Sequence, residues 1–250
     1  MRILVTLPCV AALTLAAGAQ ADTVSITTSK DNTLYFPLVG PTSNGAGEFV
    51  YVGGSGAGPR RALLAFDIAA AVPASATINS VSLTLHLSRF SLFSDGNDIT
   101  LHRVLADWGE GTSDAGDPGG IGATPTLGDA TWDHRFYDDV FWTTPGGDFD
   151  PTVSGSTFVD VVLGHYTWSS TSQMVADVQA WLDNPTSNFG WLLMGDEPTA
   201  NSAKRFDSRE NVVPANRPQL VIDYTPIPEP TGLMAATLLL IGWQRRRSPS

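Results

Sequence analysis

The stretch Trp132-Asp133-His134-Arg135-Phe136-Tyr137-Asp138-Asp139-Val140-Phe141-Trp142 gathers aromatic rings, both signs of charge and an imidazole in one short segment. Flat aromatic faces can stack on the C–H surfaces of a ligand such as a sugar ring, while neighbouring polar side chains replace the water around its hydroxyls. Trp132, His134, Arg135, Tyr137 and Trp142 are therefore candidate ligand-binding residues. In the competing reading Trp132 and Phe136 anchor the core or a loop, because large aromatics are mostly buried.

A second set is basic: Arg60, Arg61, Lys204, Arg205, Arg209 and Arg217. A guanidinium fork matches a carboxylate or sulfate in bidentate fashion, so a cluster of this kind would select an acidic ligand. Lys204 and Arg205 join the binding candidates, whereas Arg61, Arg209 and Glu210 are expected to form internal ion pairs that tie strands together. Oxygen-rich loops at Asp95-Gly96-Asn97-Asp98 and Asp114-Ala115-Gly116-Asp117 could supply calcium ligands. Neither has EF-hand spacing, and most Asp/Gly clusters are simply turns. No metal ligand is named on this basis, and no cofactor is required.

Little in the chain points to catalysis. His86, His102, His134 and His165 lack metal-ligand spacing such as H-E-x-x-H, and no G-x-S-x-G elbow is present. His86 and His102 fall on the polar phase of strands and are expected at the surface. Carboxylates are too numerous to nominate a glycosidase pair, which only spatial separation defines. The expectation is a non-catalytic protein, with an orphan polysaccharide lyase or glycosidase as the remaining enzymatic alternative.

The elements that must position these residues read mainly as strands. Val81-Ser82-Leu83-Thr84-Leu85-His86-Leu87 alternates strictly, placing four aliphatic side chains on one face. Leu63 to Phe66, Ile99 to Val104, Thr157 to Val162, Trp191 to Met194 and Gln219 to Tyr224 are further strands, each bounded by turn residues. Short strands separated by turns imply an all-β antiparallel sandwich or barrel. One helix is expected over Ser172 to Leu182, where Met174, Val175, Val178, Trp181 and Leu182 share a face. Ser170, Thr171 or Ser172 would cap it, and Asn184-Pro185 would end it. Gly40 to Pro59 and Gly109 to Gly128 read as surface loops.

Both ends carry export signals. Arg2, the apolar Ile3 to Ala17 and the small residues Ala19 and Ala21 compose a signal peptide over 1–21, with cleavage by signal peptidase before Asp22. Cys9, the single cysteine, would leave with it, which excludes disulfides and thiolate chemistry from the mature chain. At the other end Pro228-Glu229-Pro230 precedes an apolar run from Gly232 to Trp243 and then Arg245, Arg246 and Arg247. The arginines would stay on the cytoplasmic side of a membrane. This order of tripeptide, apolar run and basic cluster resembles the PEP-CTERM sorting signal of Gram-negative bacteria. The resemblance implies handling by an exosortase-type membrane protease and display at the outer surface or in the extracellular matrix. The apolar run is shorter than the ~20 residues a spanning helix needs, so the tail at 226–250 is expected to hold the protein in the inner membrane only transiently.

Between these ends, 22–225 reads as one domain of roughly 205 residues. Setting aside Arg2, Arg245 to Arg247 and Glu229, it keeps 10 of the 14 basic and 24 of the 25 acidic residues, a net charge of −14. Such a balance argues against nucleic acid and against an anionic membrane surface as partners, both of which need clustered positive charge.

The domain's segments, taken in order, resemble the DNRLRE domain, an extracellular module related to carbohydrate-binding modules. The blocks that carry the resemblance are Arg61 to Asp67, Ala76 to Leu83, Leu101 to Val104 leading to Asp107-Trp108-Gly109-Glu110-Gly111, and Ala130 to Asp133. The series continues with the helix around Val178 to Leu182, then Phe206-Asp207-Ser208-Arg209-Glu210 and Arg217 to Leu220. The resemblance implies a jelly-roll β-sandwich, in agreement with the strand pattern, and polysaccharide binding as the function. A purely structural surface or biofilm-matrix protein is the alternative.

Overall fold

The computed structural model describes residues 20–227. Residues 1–19 of the expected signal peptide, Ala19 among them, and Pro228, Glu229, Pro230 and the Arg245 to Arg247 cluster lie outside the described residues, while Gln20 and Ala21 are exposed just ahead of the first strand. Among the described residues no helix is long and apolar enough to cross a membrane.

In chain order the strands are β1 (Asp22–Thr27), β2 (Lys30–Tyr35), β3 (Phe49–Ser55), β4 (Gly58–Ala65), β5 (Thr77–Phe90), β6 (Asn97–Val104) and β7 (His134–Phe136). They continue as β8 (Val140–Phe141), β9 (Phe149–Val159), β10 (Gly164–Trp168), β11 (Trp191–Met194), β12 (Lys204–Asp207) and β13 (Gln219–Thr225). The helices are α1 (Ile68–Ala71) and α2 (Ser172–Asp183). Every strand pairing is antiparallel.

One leaf runs β1-β13-β5-β12-β3 with β10 on β5; the other runs β9-β6-β11-β4 with β2 on β4. β3 belongs to both. Phe49 to Val52 pair with β12, and Gly53 to Ser55 pair with β4, so the strand turns from one leaf into the other at its glycines. Gly53 has φ +109°, which L side chains rarely adopt, and a Cβ on Gly54 would collide with the carbonyl oxygens of Thr199 and Glu197. The expected loop over Gly40 to Pro59 holds for 40–48 and is corrected beyond it: Phe49–Ser55 and Gly58–Ala65 are strands, and Gly53 and Gly54 mark the corner of the buried one.

The interior follows from the period-2 rule. β5 turns Val81, Leu83, Leu85 and Leu87 inward, where they meet Leu64 of β4, Leu101 of β6, Leu193 of β11 and Ile222 of β13 in one buried cluster. Each such side chain contributes about 1.5–3 kcal/mol by leaving water. α2 packs against β5 and β9 and adds Met174, Val178, Trp181 and Leu182 to that cluster. Thr171 caps the helix, accepting from the Met174 amide at 3.0 Å.

A second cluster covers the opposite face of the β4/β11 leaf: Leu63, Ala65 and Leu192 pack with Leu34, Trp108, Trp132 and Trp142. Those residues alternate with Ala62, Leu64, Trp191 and Leu193, which face the first cluster. β4 and β11 are thus buried on both faces, the outer one beneath the long 105–148 connection.

Candidate functional site

The aromatic segment is part of this second core. Trp132 is only 7% exposed and Trp142 only 4%. The indole N–H of Trp142 donates to the Thr131 carbonyl at 2.9 Å, and the Arg61 guanidinium lies 4.9 Å from the Trp132 ring centre. His134 is buried, with its ring centre 4.1 Å from that of Phe141. Arg135 and Tyr137 remain partly exposed, Arg135 donating to the Asp107 carbonyl at 3.1 Å. The expected aromatic shelf is therefore corrected. Trp132 and Trp142 face the apolar outer side of β4 and β11, which water would otherwise wet.

Lys204 is corrected likewise. On β12 it alternates with Arg205, points away from solvent and donates to the Asp95 carbonyl at 2.9 Å. Burial lowers its pKa. His102 is also buried, with its ring nitrogens beside Thr100 Oγ1 and the Asp150 carbonyl. Asp114 accepts from the Gly116 amide at 2.8 Å and Asp117 pairs with Arg205, so these two carboxylates serve a turn and an ion pair.

The internal ion pairs have definite partners. Arg61 reaches Glu197 at 2.6 Å and the Gly146 carbonyl at 2.7 Å. Arg209 binds both oxygens of Glu110, at 2.8 and 2.7 Å, and Glu210 at 2.8 Å. Two blocks far apart in sequence, one around Trp108 and one around Asp207, are clasped by this guanidinium. Asp31 joins them: carboxylate oxygens of Asp31, Glu110 and Glu210 lie within 4.8 Å of one another, the one arrangement among the described residues that could hold a metal ion. Arg209 already supplies positive charge there. Asp31 is fully buried and its pKa is pushed up to about 8, first by burial and then by Glu210. Glu210 is raised as well, chiefly by burial.

An open cavity with a basic wall lies elsewhere, where β3, β4, β5 and β12 meet. Its volume is about 420 Å³, and its walls include Tyr51, Arg60, Arg89, Phe90 and Arg205. The fields of Arg205, Arg60 and Arg89 all act on Tyr51. Arg205 stacks at 3.6 Å over Phe49, donates from Nε to Ser88 Oγ at 3.1 Å and pairs with Asp117 at 2.6 Å. Arg60 sits over the rings of Tyr35 and Tyr51, 5.8 and 5.5 Å from their centres. Among the described residues neither Arg60 nor Arg89 has a carboxylate partner.

Two features make this arrangement costly in the absence of an anion. Burial lowers the pKa of Arg60, yet a guanidinium keeps its proton, so its charge is carried half-buried beside two tyrosines. Arg89 and Arg205 are direct cross-strand partners in the β5–β12 register, and like charges placed opposite each other destabilise a sheet. Of the predicted binding residues only Arg205 lines this cavity. Arg60 is visible in sequence as a member of the basic set, but Arg89, Tyr35 and Tyr51 carry no local signal because the corner of β3 brings them together.

Strand pairing also unites two histidines that sequence separates: His165 of β10 is directly opposite His86 of β5. Their ring centres are 4.8 Å apart, and His86 Nδ1 is 2.7 Å from Asp207.

No protein-family model and no curated protein matches the chain.

Proposed function

We propose that this is an exported, non-catalytic carbohydrate-binding protein whose ligand is an acidic polysaccharide, held in the groove of Arg60, Arg89 and Arg205. The observation that carries the reading is a trio of guanidinium groups around Tyr51, of which only Arg205 has a carboxylate partner among the described residues. In a chain of net charge −11, such a local excess of positive charge is selective for an anion. Bidentate bonds to uronate or sulfate groups would neutralise it, and the partly exposed ring of Phe90 offers a face for sugar C–H surfaces. The expected route is export by the N-terminal signal, transient retention by the PEP-CTERM-like tail and release or display by an exosortase-type protease.

Affinity electrophoresis of the purified protein through gels containing polygalacturonate, dextran sulfate or neutral dextran tests the reading. Retardation by an acidic polymer that weakens about tenfold or more in Arg60→Gln and in Arg89→Gln, and that falls with salt, is expected. Equal mobility in all gels would leave the purely structural matrix role as the better account.

A further inference from the structure

Beside the arginine groove lies a second cavity of about 440 Å³, within the range of small-molecule sites, ~300–1,000 Å³. The two share Ser55, Arg60 and Ile121 as walls. The second is apolar, formed by Phe36, Leu38, Val39, Pro41 and Pro59 with Ile121. Leu38 is 69%, Val39 97% and Ile121 79% exposed, an unusual amount of aliphatic surface to leave in water around one concavity.

The walls are held in place. The Tyr35 hydroxyl donates to the Gly119 carbonyl at 2.9 Å and the Tyr51 hydroxyl to the Pro118 carbonyl, which pins the turn that presents Ile121. Ser43 and Ala123 exchange backbone hydrogen bonds at 3.1 and 2.8 Å, joining that turn to the 36–43 connection. The Phe36 amide donates to the Pro59 carbonyl at 3.0 Å on the opposite side.

We propose that the apolar cavity and the arginine groove form one bipartite site for an anionic amphiphile, its alkyl chain in the cavity and its acidic head on Arg60. The head-group end rests on the acidic-ligand reading above; the chain end does not. A sugar ring is a poor occupant of the cavity, because its hydroxyls would lose water against Leu38, Val39 and Ile121 without gaining partners. An alkyl chain loses nothing of that kind, and Arg60 at the shared wall supplies the complementary charge. The chain could be a free fatty acid or an acyl group carried on an anionic glycan.

Titration calorimetry with hexanoate, octanoate and decanoate, each kept below its micelle concentration, tests the site. One chain should bind per protein, with affinity rising roughly fourfold per CH₂ and so on the order of 200-fold from hexanoate to decanoate. Arg60→Gln should weaken every member while keeping the step per CH₂. The double variant Leu38→Ser/Val39→Ser, at exposed positions the fold does not need, should flatten the step and leave retardation by acidic polymers unchanged. Octanoylated polygalacturonate binding more tightly than both octanoate and the bare polymer identifies a glycan-borne chain, whereas tight octanoate binding without that gain identifies the free acid. Affinity independent of chain length, or association with phosphatidylglycerol vesicles without binding of monomeric alkanoates, overturns the proposal. Polymer retardation surviving such a result would leave the carbohydrate reading standing, and alkanoate binding without polymer retardation would do the reverse.

Discussion

Replacing Asp31 with asparagine should remove most of a pH dependence built into the clasp between the two distant blocks. Asp31 Oδ2 accepts from Thr28 Oγ1 and from the Arg209 amide, each at 2.9 Å, while buried Oδ1 has no partner. Glu110 and Glu210 crowd the same space, and burial raises the Asp31 pKa from an ordinary 3.8 to about 8. Because the folded pKa is the higher one, the native state holds a proton between about pH 4 and pH 8 that the unfolded chain has released. The contribution is therefore complete below pH 4, declines as pH rises through the folded pKa, and levels off above it. At about 1.4 kcal/mol per pH unit, the ceiling is about 6 kcal/mol across that window, comparable with the whole stability of many domains. Urea unfolding of wild type and Asp31→Asn at pH values from 5 to 9 measures it. Wild-type stability should fall by several kcal/mol relative to the variant as pH rises. Glu210, raised in the same direction, should leave the variant a smaller slope of the same sign. Parallel curves for the two proteins would refute a protonated Asp31 in the fold.

Trp132→Ala should cost about 3–5 kcal/mol in denaturant unfolding, as expected for a buried aromatic, yet leave acidic-polymer binding intact at temperatures where the variant is folded. Loss of binding at unchanged stability would return Trp132 to the binding site. Thr171→Ala removes the cap of α2 and should lower stability by about 1 kcal/mol; an unchanged denaturant midpoint would show that the Met174 amide finds another acceptor.

Local patterns carried much of the architecture. The alternation from Val81 to Leu87 became the inward face of β5, the apolar stripe from Met174 to Leu182 became the buried face of α2, and Trp191 to Met194 is β11 with the expected bounds. Each depends on a repeat of two or 3.6 residues, which the chain displays without any partner. Burial of Trp132 and Trp142 is a different matter. Periodicity states which side chains share a face but not whether a loop distant in sequence will cover that face. The uninterrupted run Ala62-Leu63-Leu64-Ala65-Phe66 does hint that β4 is covered on both sides, as continuous apolar strands usually are.

Antiparallel register and the corner of β3 are properties of the assembled sandwich. They place His86 opposite His165, set Arg89 against Arg205, and bring Arg60 over the rings of both Tyr35 and Tyr51. Sequence alone thus determined the all-β class, its one substantial helix and the scarcity of catalytic motifs. Only the tertiary structure decided which aromatics became core and which arginines were left facing a groove, because cross-strand neighbours are chosen by long-range pairing that no local repeat encodes.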